Sequence, residues 1–285
     1  VTQPTSRAFT HGAVTSHFLD WNPAGTVPVL LLHGWLDHAH SFDPVCAALD
    51  GPLRALALDF RGHGRSGHLP EGLGYEVGQY LADLHALLAH ERLSRVHLVG
   101  HSLGGAVALA YAAAQPERVA SVTCIDNAGA YGGPPSRALE KLRAYVQDQD
   151  KPSRRAVYAD IEAATGRLLA RSPEMPRAVA EHLVRHGVEA VDGGGVRFRF
   201  DPALRRAFAH TWDDAQVESL LRAVPCPVQL LLGTRGHLKD DAALAARCAW
   251  LRAGPPTWLE GGHHLHLEQP AATAQAVSSF MLRHA

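Results

Sequence analysis

Ser102 stands in Gly-His-Ser-Leu-Gly-Gly, residues 100–105, between two runs of different character. Val96, His97, Leu98 and Val99 read as a short buried strand, whereas Ala106 to Ala114 contains only good helix formers. Joining them requires a sharp reversal, in which a side chain at Gly100 or Gly104 would strike the neighbouring strand or helix. This strand–turn–helix order predicts a nucleophile elbow that pushes Ser102 outward at a helix N-terminus. There, unpaired N–H groups, that of Leu103 first, and the helix dipole favour the negative charge that develops in acyl transfer. A Gly-Ser loop that merely caps a helix would not require both glycines in these places.

A serine hydroxyl is a poor nucleophile until a base takes its proton, and the base needs a third group to hold its tautomer. Nineteen histidines make the choice of base a real problem. The segment Gly-Gly-His-His-Leu-His-Leu-Glu-Gln-Pro, residues 261–270, follows the last expected strand and precedes the last expected helix, and it offers His263, His264 and His266.

The elements that must position these groups alternate along the chain. Val27 to Leu32, Leu53 to Leu58, Val119 to Ile125, Val228 to Leu232 and Thr257 to Leu259 read as strands. Ser41 to Leu49, Tyr75 to Leu93 and Ala271 to Arg283 read as helices. The order implies an α/β fold built on a doubly wound, mostly parallel sheet. From about residue 129 to 221 the rhythm breaks into helical patterns and turn clusters without a convincing sheet strand. This predicts a core of 1–128 and 222–285 carrying an inserted helical cap of 129–221. Within it, the alternating Val196, Phe198 and Phe200 after Gly193–Gly195 read as a hairpin or an extended loop.

A chain of 285 residues that is 46% hydrophobic can bury a large core. Its formal net charge of −1 argues against a nucleic-acid or anionic-membrane surface. Four widely spaced cysteines, Cys46, Cys124, Cys226 and Cys248, form neither a metal pair nor a disulfide framework, and no apolar run approaches the ~20 residues of a membrane span. The expectation is a soluble, unprocessed, cytoplasmic protein, monomeric or homodimeric.

His-Gly-Trp at 33–35, Asp-Phe-Arg-Gly-His-Gly-Arg-Ser-Gly at 59–67, the elbow at 100–105 and Gly-His-His-Leu-His-Leu-Glu-Gln-Pro at 262–270 together resemble the α/β-hydrolase superfamily. Among its branches, the opening and closing blocks are similar to the serine hydrolase-like proteins. In the superfamily's pattern the catalytic histidine follows a glycine and precedes Glu-x-Pro by five residues, which the resemblance places at His263, with Glu268 and Pro270. The usual acid would end a Gly-x-x-Asp turn, but Gly-Thr-Arg-Gly at 233–236 puts Gly236 there. The resemblance then favours Asp126, at the end of the strand after the elbow helix, a position from which some relatives supply the acid. Asp240 and Asp241 are second choices. It also implies a second oxyanion donor in the backbone N–H of Trp35, with His33, Gly34 and His101 in support.

The expected activity is that of a serine hydrolase, with no cofactor or metal, cleaving a small, largely apolar ester, thioester or lactone through an acyl-enzyme on Ser102. The same machinery would serve a carbon–carbon bond hydrolase or a cofactor-free perhydrolase. A ligand-binding protein that had lost turnover is the alternative of a different class. Arg61 is expected to tie loops together beside the elbow. His182 and His186, four apart, have metal-ligand spacing but no evident third ligand, so a solvated helix face is expected. In the cap, Leu139, Leu142, Tyr145, Val146, Leu168 and Leu169 are candidates either for a pocket wall or for packing.

Overall fold

Alternate residues of a strand point to opposite faces of its sheet, so a strand apolar at every position must be covered on both sides. The computed structural model of the chain, which describes residues 3–151 and 155–285, does this with helices on each face. In chain order the elements are β1 (Thr5–His11), β2 (Val14–Trp21), β3 (Val27–Leu32), α1 (Asp43–Ala47), β4 (Leu53–Leu58), α2 (Val77–His90), β5 (Val96–His101), α3 (Leu103–Ala114) and β6 (Val119–Ile125). There follow α4 (Ala138–Gln149), β7 (Val157–Tyr158), α5 (Ile161–Arg171), α6 (Arg177–Gly187), β8 (Val188–Ala190), β9 (Val196–Phe198) and α7 (Asp214–Arg222). The chain closes with β10 (Val228–Gly233), α8 (Leu244–Trp250), β11 (Thr257–Leu259), α9 (Leu265–Glu268) and α10 (Pro270–Leu282).

The large sheet has the order β1-β2-β4-β3-β5-β6-β10-β11. The β1–β2 and β2–β4 pairs are antiparallel and the remaining pairs parallel. On one face Leu30, Leu32, Leu56, Leu58 and Leu98 pack with residues of α2, α3 and α7. On the other, Val29, Leu31, Ala55, Ala57 and Val99 pack with Val277 and Met281 of α10. Full burial of a leucine or valine contributes about 1.5–3 kcal/mol, so these strands hold the sheet's centre firmly. Because β4 lies on one side of β3 and β5 on the other, the connections leaving the carboxyl ends of β3 and β5 diverge. A crevice opens there, where open α/β sheets place their ligands.

The N-terminal hairpin β1–β2 escapes the sequence reading. Its inner strand buries Ser16, His17 and Asp20 along with its apolar residues, which erases the hydrophobic alternation. The polar groups are paired instead: His17 Nδ1 with Asp59 at 2.7 Å, and Asp20 with Arg7 and Arg54.

Between β6 and β10 the chain is not purely helical. It contains a three-stranded antiparallel sheet of order β7-β9-β8, in which Val196 and Phe198 form β9. Strands of two or three residues are too short to declare a period. Helix α7 straddles the expected boundary at 221, and its Val217 and Leu221 are buried in the main core beneath the sheet. No helix among the described residues is long and apolar enough to cross a membrane.

Candidate active site

Strand β5 runs into α3 through Ser102, whose backbone adopts φ 50°, ψ −115°. Positive φ is costly for a residue with a side chain and persists only where the surroundings enforce it. Here they do. The Ser102 N–H donates to the Ile125 carbonyl of β6 at 3.0 Å, and the Ser102 carbonyl accepts from Gly105 at 2.9 Å. A Cβ at Gly100 would lie 2.3 Å from the Gly104 carbonyl carbon, and one at Gly104 would lie 2.0 Å from the Leu32 carbonyl oxygen. The turn closes only because both are glycine.

The segment leaving β3 is drawn against this elbow. A Cβ at Gly34 would lie 2.8 Å from His101 Nδ1 and 3.4 Å from Ser102 Cβ, so the Gly34–Trp35 backbone runs beside the serine. His33 braces it. Its buried ring accepts the Phe60 N–H at Nε2 (3.1 Å) and donates from Nδ1 to the Gly34 carbonyl (2.7 Å). Burial holds its pKa below the usual histidine range, keeping Nε2 free to accept. Among the described residues the N–H groups of Trp35 and Leu103 donate to no other group.

Opposite lies the loop after β11. His263 Nδ1 donates to Asp126 Oδ2 at 2.6 Å. Asp126 also accepts the His237 N–H at 2.9 Å and, at its other oxygen, the Gly233 N–H at 3.4 Å. Since both of these backbone groups are donors, the His263 Nδ1 proton must point at the carboxylate and Nε2 is left as the acceptor. A Cβ at Gly236 would fall 2.1 Å from Asp126 Oδ1. The Asp126 carboxylate therefore fills the volume into which residue 236 would otherwise project, which is why that turn ends in glycine.

Two groups steady His263. His101 Nε2 donates to the His263 carbonyl at 2.9 Å, and Glu268 Oε1 accepts the Gly262 N–H at 2.9 Å while Oε2 pairs with Arg235 at 3.2 Å. The sequence reading missed His237. Its ring stacks on His263 with centroids 3.7 Å apart and an interplanar angle of 17°. The signal was its position one residue past Gly236. Asp240 and Asp241 stand elsewhere, beside an open depression lined by Tyr131, Arg235 and Arg247, and Asp241 is engaged in capping the Ala243 N–H. Neither hydrogen-bonds His263. His264 lines the cleft and His266 is wholly buried against Phe42.

Ser102 and His263 open onto one cleft of about 360 Å³, shared with Trp35, His101, His237 and His264. Its far wall, from α5, α6, the turn between them and β9, includes Leu168, Met175, Leu183 and Phe198. Of the six candidate wall residues read from the sequence, only Leu168 is there; Leu139, Leu142 and Val146 of α4 are exposed instead. Trp35 is half-exposed at the cleft, its indole N–H donating to the Leu204 carbonyl at 3.1 Å. Arg61 grips the buried Asp83 of α2 through Nε at 3.0 Å and Nη2 at 2.6 Å, anchoring the 59–67 loop. At the start of that loop Asp59 accepts from His17, Ala39 and Arg65; burial opposes its charge, but the His17 hydrogen bond and field outweigh it and hold its pKa well below the carboxylate range.

Among the described residues three sets of side chains bring potential metal-ligand atoms within 4.8 Å of one another: Asp126, His237 and His263; Asp37, His101 and His264; and His40, Asp43 and His186. The last corrects the view of α6 as a solvated face. His186 stacks on His40 at 4.3 Å and His182 bonds the His40 carbonyl at 2.8 Å, because α6 packs on the turn before α1.

Known proteins share this arrangement of elements along nearly the whole chain. A crystal structure of a hypothetical protein from Pseudomonas aeruginosa PAO1 superposes with a TM-score of 0.87 at 34% identity, covering 98% of this chain and 97% of that one. A serine hydrolase-like protein of Danio rerio is 32% identical over 274 residues, 92% of this chain and 83% of its own length. A 2-(acetamidomethylene)succinate hydrolase of Mesorhizobium japonicum is 30% identical over 281 residues, 97% of this chain and 95% of its own. Residues 27–250, from β3 through the elbow to α8, match the α/β hydrolase fold as a family, and with the sheet order and the strained serine turn already in view the chain belongs to that family.

Proposed function

We propose that the protein is a serine hydrolase that cleaves an ester, thioester or lactone through an acyl-enzyme on Ser102. The observation that carries this reading is the 2.6 Å hydrogen bond between His263 Nδ1 and Asp126, made at the edge of the cleft that Ser102 enters from its strained turn. In this mechanism His263 Nε2 takes the hydroxyl proton as Ser102 Oγ attacks the carbonyl, and Asp126 stabilises the imidazolium that forms. The N–H groups of Leu103 and Trp35 receive the oxyanion; each such donor is typically worth about 2.7–4 kcal/mol. The imidazolium returns its proton to the leaving group. Water, deprotonated by the same histidine, then attacks the acyl carbonyl and frees Ser102.

The names of the relatives support hydrolysis: one is called serine hydrolase-like, another a hydrolase of 2-(acetamidomethylene)succinate. The apolar lining favours a largely apolar substrate body. In this reading the segment from α4 to β9 acts as a cap, since α5, α6 and β9 supply the far wall of the cleft. The four cysteines are free thiols, which fits a reducing compartment such as the cytoplasm. The test is the initial rate on short-chain p-nitrophenyl esters for wild type and Ser102→Ala, with labelling by a fluorophosphonate. Hydrolysis and labelling that both vanish in the variant are expected. A wild-type rate no higher than the variant's, with no labelling, would reject the reading.

A further inference from the structure

The largely apolar lining of the cleft also includes cationic side chains. Three arginines line it: Arg167 and Arg171 on α5, and Arg205 in the turn after β9. Arg167 and Arg171 are four residues apart, so they share one helix face with Leu168, which also lines the cleft. Arg205 lies over the Phe200 ring at 4.8 Å. It follows Leu204, whose carbonyl holds the Trp35 indole, and this ties its position to the segment beside Ser102.

Several other arginines of this segment are matched by acids. Arg155, Arg197 and Arg199 gather on Glu189, and Arg177 pairs with Glu162 and Glu181. Among the described residues Arg167, Arg171 and Arg205 enter no ion pair, and they repel one another: burial and then the Arg171 and Arg167 charges lower the Arg205 pKa. Among the described residues the only carboxyl group in the cleft wall is that of Asp37, which burial pushes up to about 7. Three arginines, each exposed over part of its surface to solvent, thus line a partly enclosed space with little negative charge to answer them, in a chain whose formal net charge is −1. Like charges at helical spacing are unfavourable for the fold by themselves. They are the donors of choice for carboxylate and phosphate oxygens, which their planar forks can grip in pairs.

We propose that Arg167, Arg171 and Arg205 form an anion subsite that selects substrates carrying a carboxylate or phosphate group at the end remote from the scissile carbonyl. The inference rests on Ser102 being the nucleophile and deepens that reading from an apolar ester to an apolar ester with an anionic terminus. The apolar wall of Leu168, Met175 and Phe198 would hold the body of the substrate between the two polar ends.

Two matched pairs of substrates distinguish the source of the anion. p-Nitrophenyl hydrogen glutarate against p-nitrophenyl valerate tests a carboxylate on the acyl side. Butyryl-coenzyme A against the S-butyryl ester of N-acetylcysteamine tests phosphate on the leaving-group side. The wild-type kcat/KM is expected to favour the charged member of one pair by about tenfold or more, as charge-assisted hydrogen bonds allow, and the preference should shrink as salt is added. Arg171→Met and Arg205→Met should each lower the charged-to-neutral ratio about tenfold, whereas Arg177→Met, in an exposed pair outside the cleft, should leave the ratio at its wild-type value. A ratio at or below one in both pairs, or one that the arginine variants do not move, overturns the subsite while leaving ester hydrolysis intact. Should no ester or thioester be turned over, calorimetry of glutarate and of coenzyme A with Ser102→Ala decides separately. Binding that is lost in the arginine variants upholds the subsite, and no binding at millimolar concentration rejects it.

Discussion

Asp126 and residue 236 compete for one volume, and that competition can be used to move the acid. Asp126→Ala removes both the charge beside the imidazolium and the acceptor that holds the His263 tautomer at 2.6 Å. Loss of such an acid costs on the order of 10⁴-fold in kcat, or about 5.4 kcal/mol at 1.36 kcal/mol per factor of ten. Gly236→Asp alone should also be damaging. Its Cβ would lie 2.1 Å from Asp126 Oδ1, well inside van der Waals contact, and two carboxylates would face each other. Relieving the overlap requires a displacement near 1 Å, which costs about 10²-fold where catalytic geometry is concerned. Combining the two substitutions empties the volume at 126 and refills it from 236, within reach of His263. The double variant should therefore exceed Asp126→Ala by at least about 10²-fold in kcat. The assay is p-nitrophenyl ester hydrolysis under saturating substrate, with thermal melts to confirm that each variant folds. Asp126→Ala retaining more than a tenth of wild-type activity would refute the assignment of the acid. A double variant no better than Asp126→Ala would refute the exchange of volumes.

Stability should rise from acid pH toward a plateau near neutral pH. Burial lowers His38 and His264 to about 3 and His97 and His186 to about 4, so folding excludes protons that the unfolded chain binds below about 6.5; the deeply buried His38 and His264 each contribute up to about 1.4 kcal/mol of loss per pH unit as pH falls, and the less enclosed His97 and His186 contribute less. Asp37 acts in the other direction: burial raises it to about 7, so the stability it contributes is complete below its unfolded value and is lost as pH rises through 7. Urea titrations from pH 4 to 8 should show stability rising and then levelling off above about 7, and Asp37→Asn should steepen the rise between about 4 and 7; a slope left unchanged there would contradict the burial argument. At the elbow, Gly104→Ala would drive a methyl to 2.0 Å from the Leu32 carbonyl oxygen, and denaturant midpoints should report a loss at or above the about 1–3 kcal/mol usual for overpacking. A loss below 0.5 kcal/mol, roughly the scatter of surface substitutions, would mean that the turn is looser than its geometry.

The local part of this protein was legible in its sequence. A buried strand, a glycine-flanked serine and an alanine-rich helix follow one another within about twenty residues, and β3, β4, β5, β6 and β10 announce themselves because apolar residues fill both faces of a covered sheet. The resemblance of short motifs then singled out His263 among nineteen histidines. Strands that break the pattern were not legible. β2 buries paired polar residues and β7 and β8 are too short to show a period, whereas the alternation at Val196 and Phe198 of β9 showed but left a hairpin and an extended loop both open.

What only the tertiary structure decided are the relations between residues far apart in the chain. Asp126, Gly236, His237 and His263 meet because β6, β10 and β11 lie side by side and end together. Their spacing along the chain carries no trace of that contact. The unanswered charges of Arg167, Arg171 and Arg205 emerge in the same way, since composition counts charges without saying which of them find partners. Sequence pattern reports the period and burial of single elements; hydrogen bonds, excluded volumes and unpaired charges belong to the distances between them.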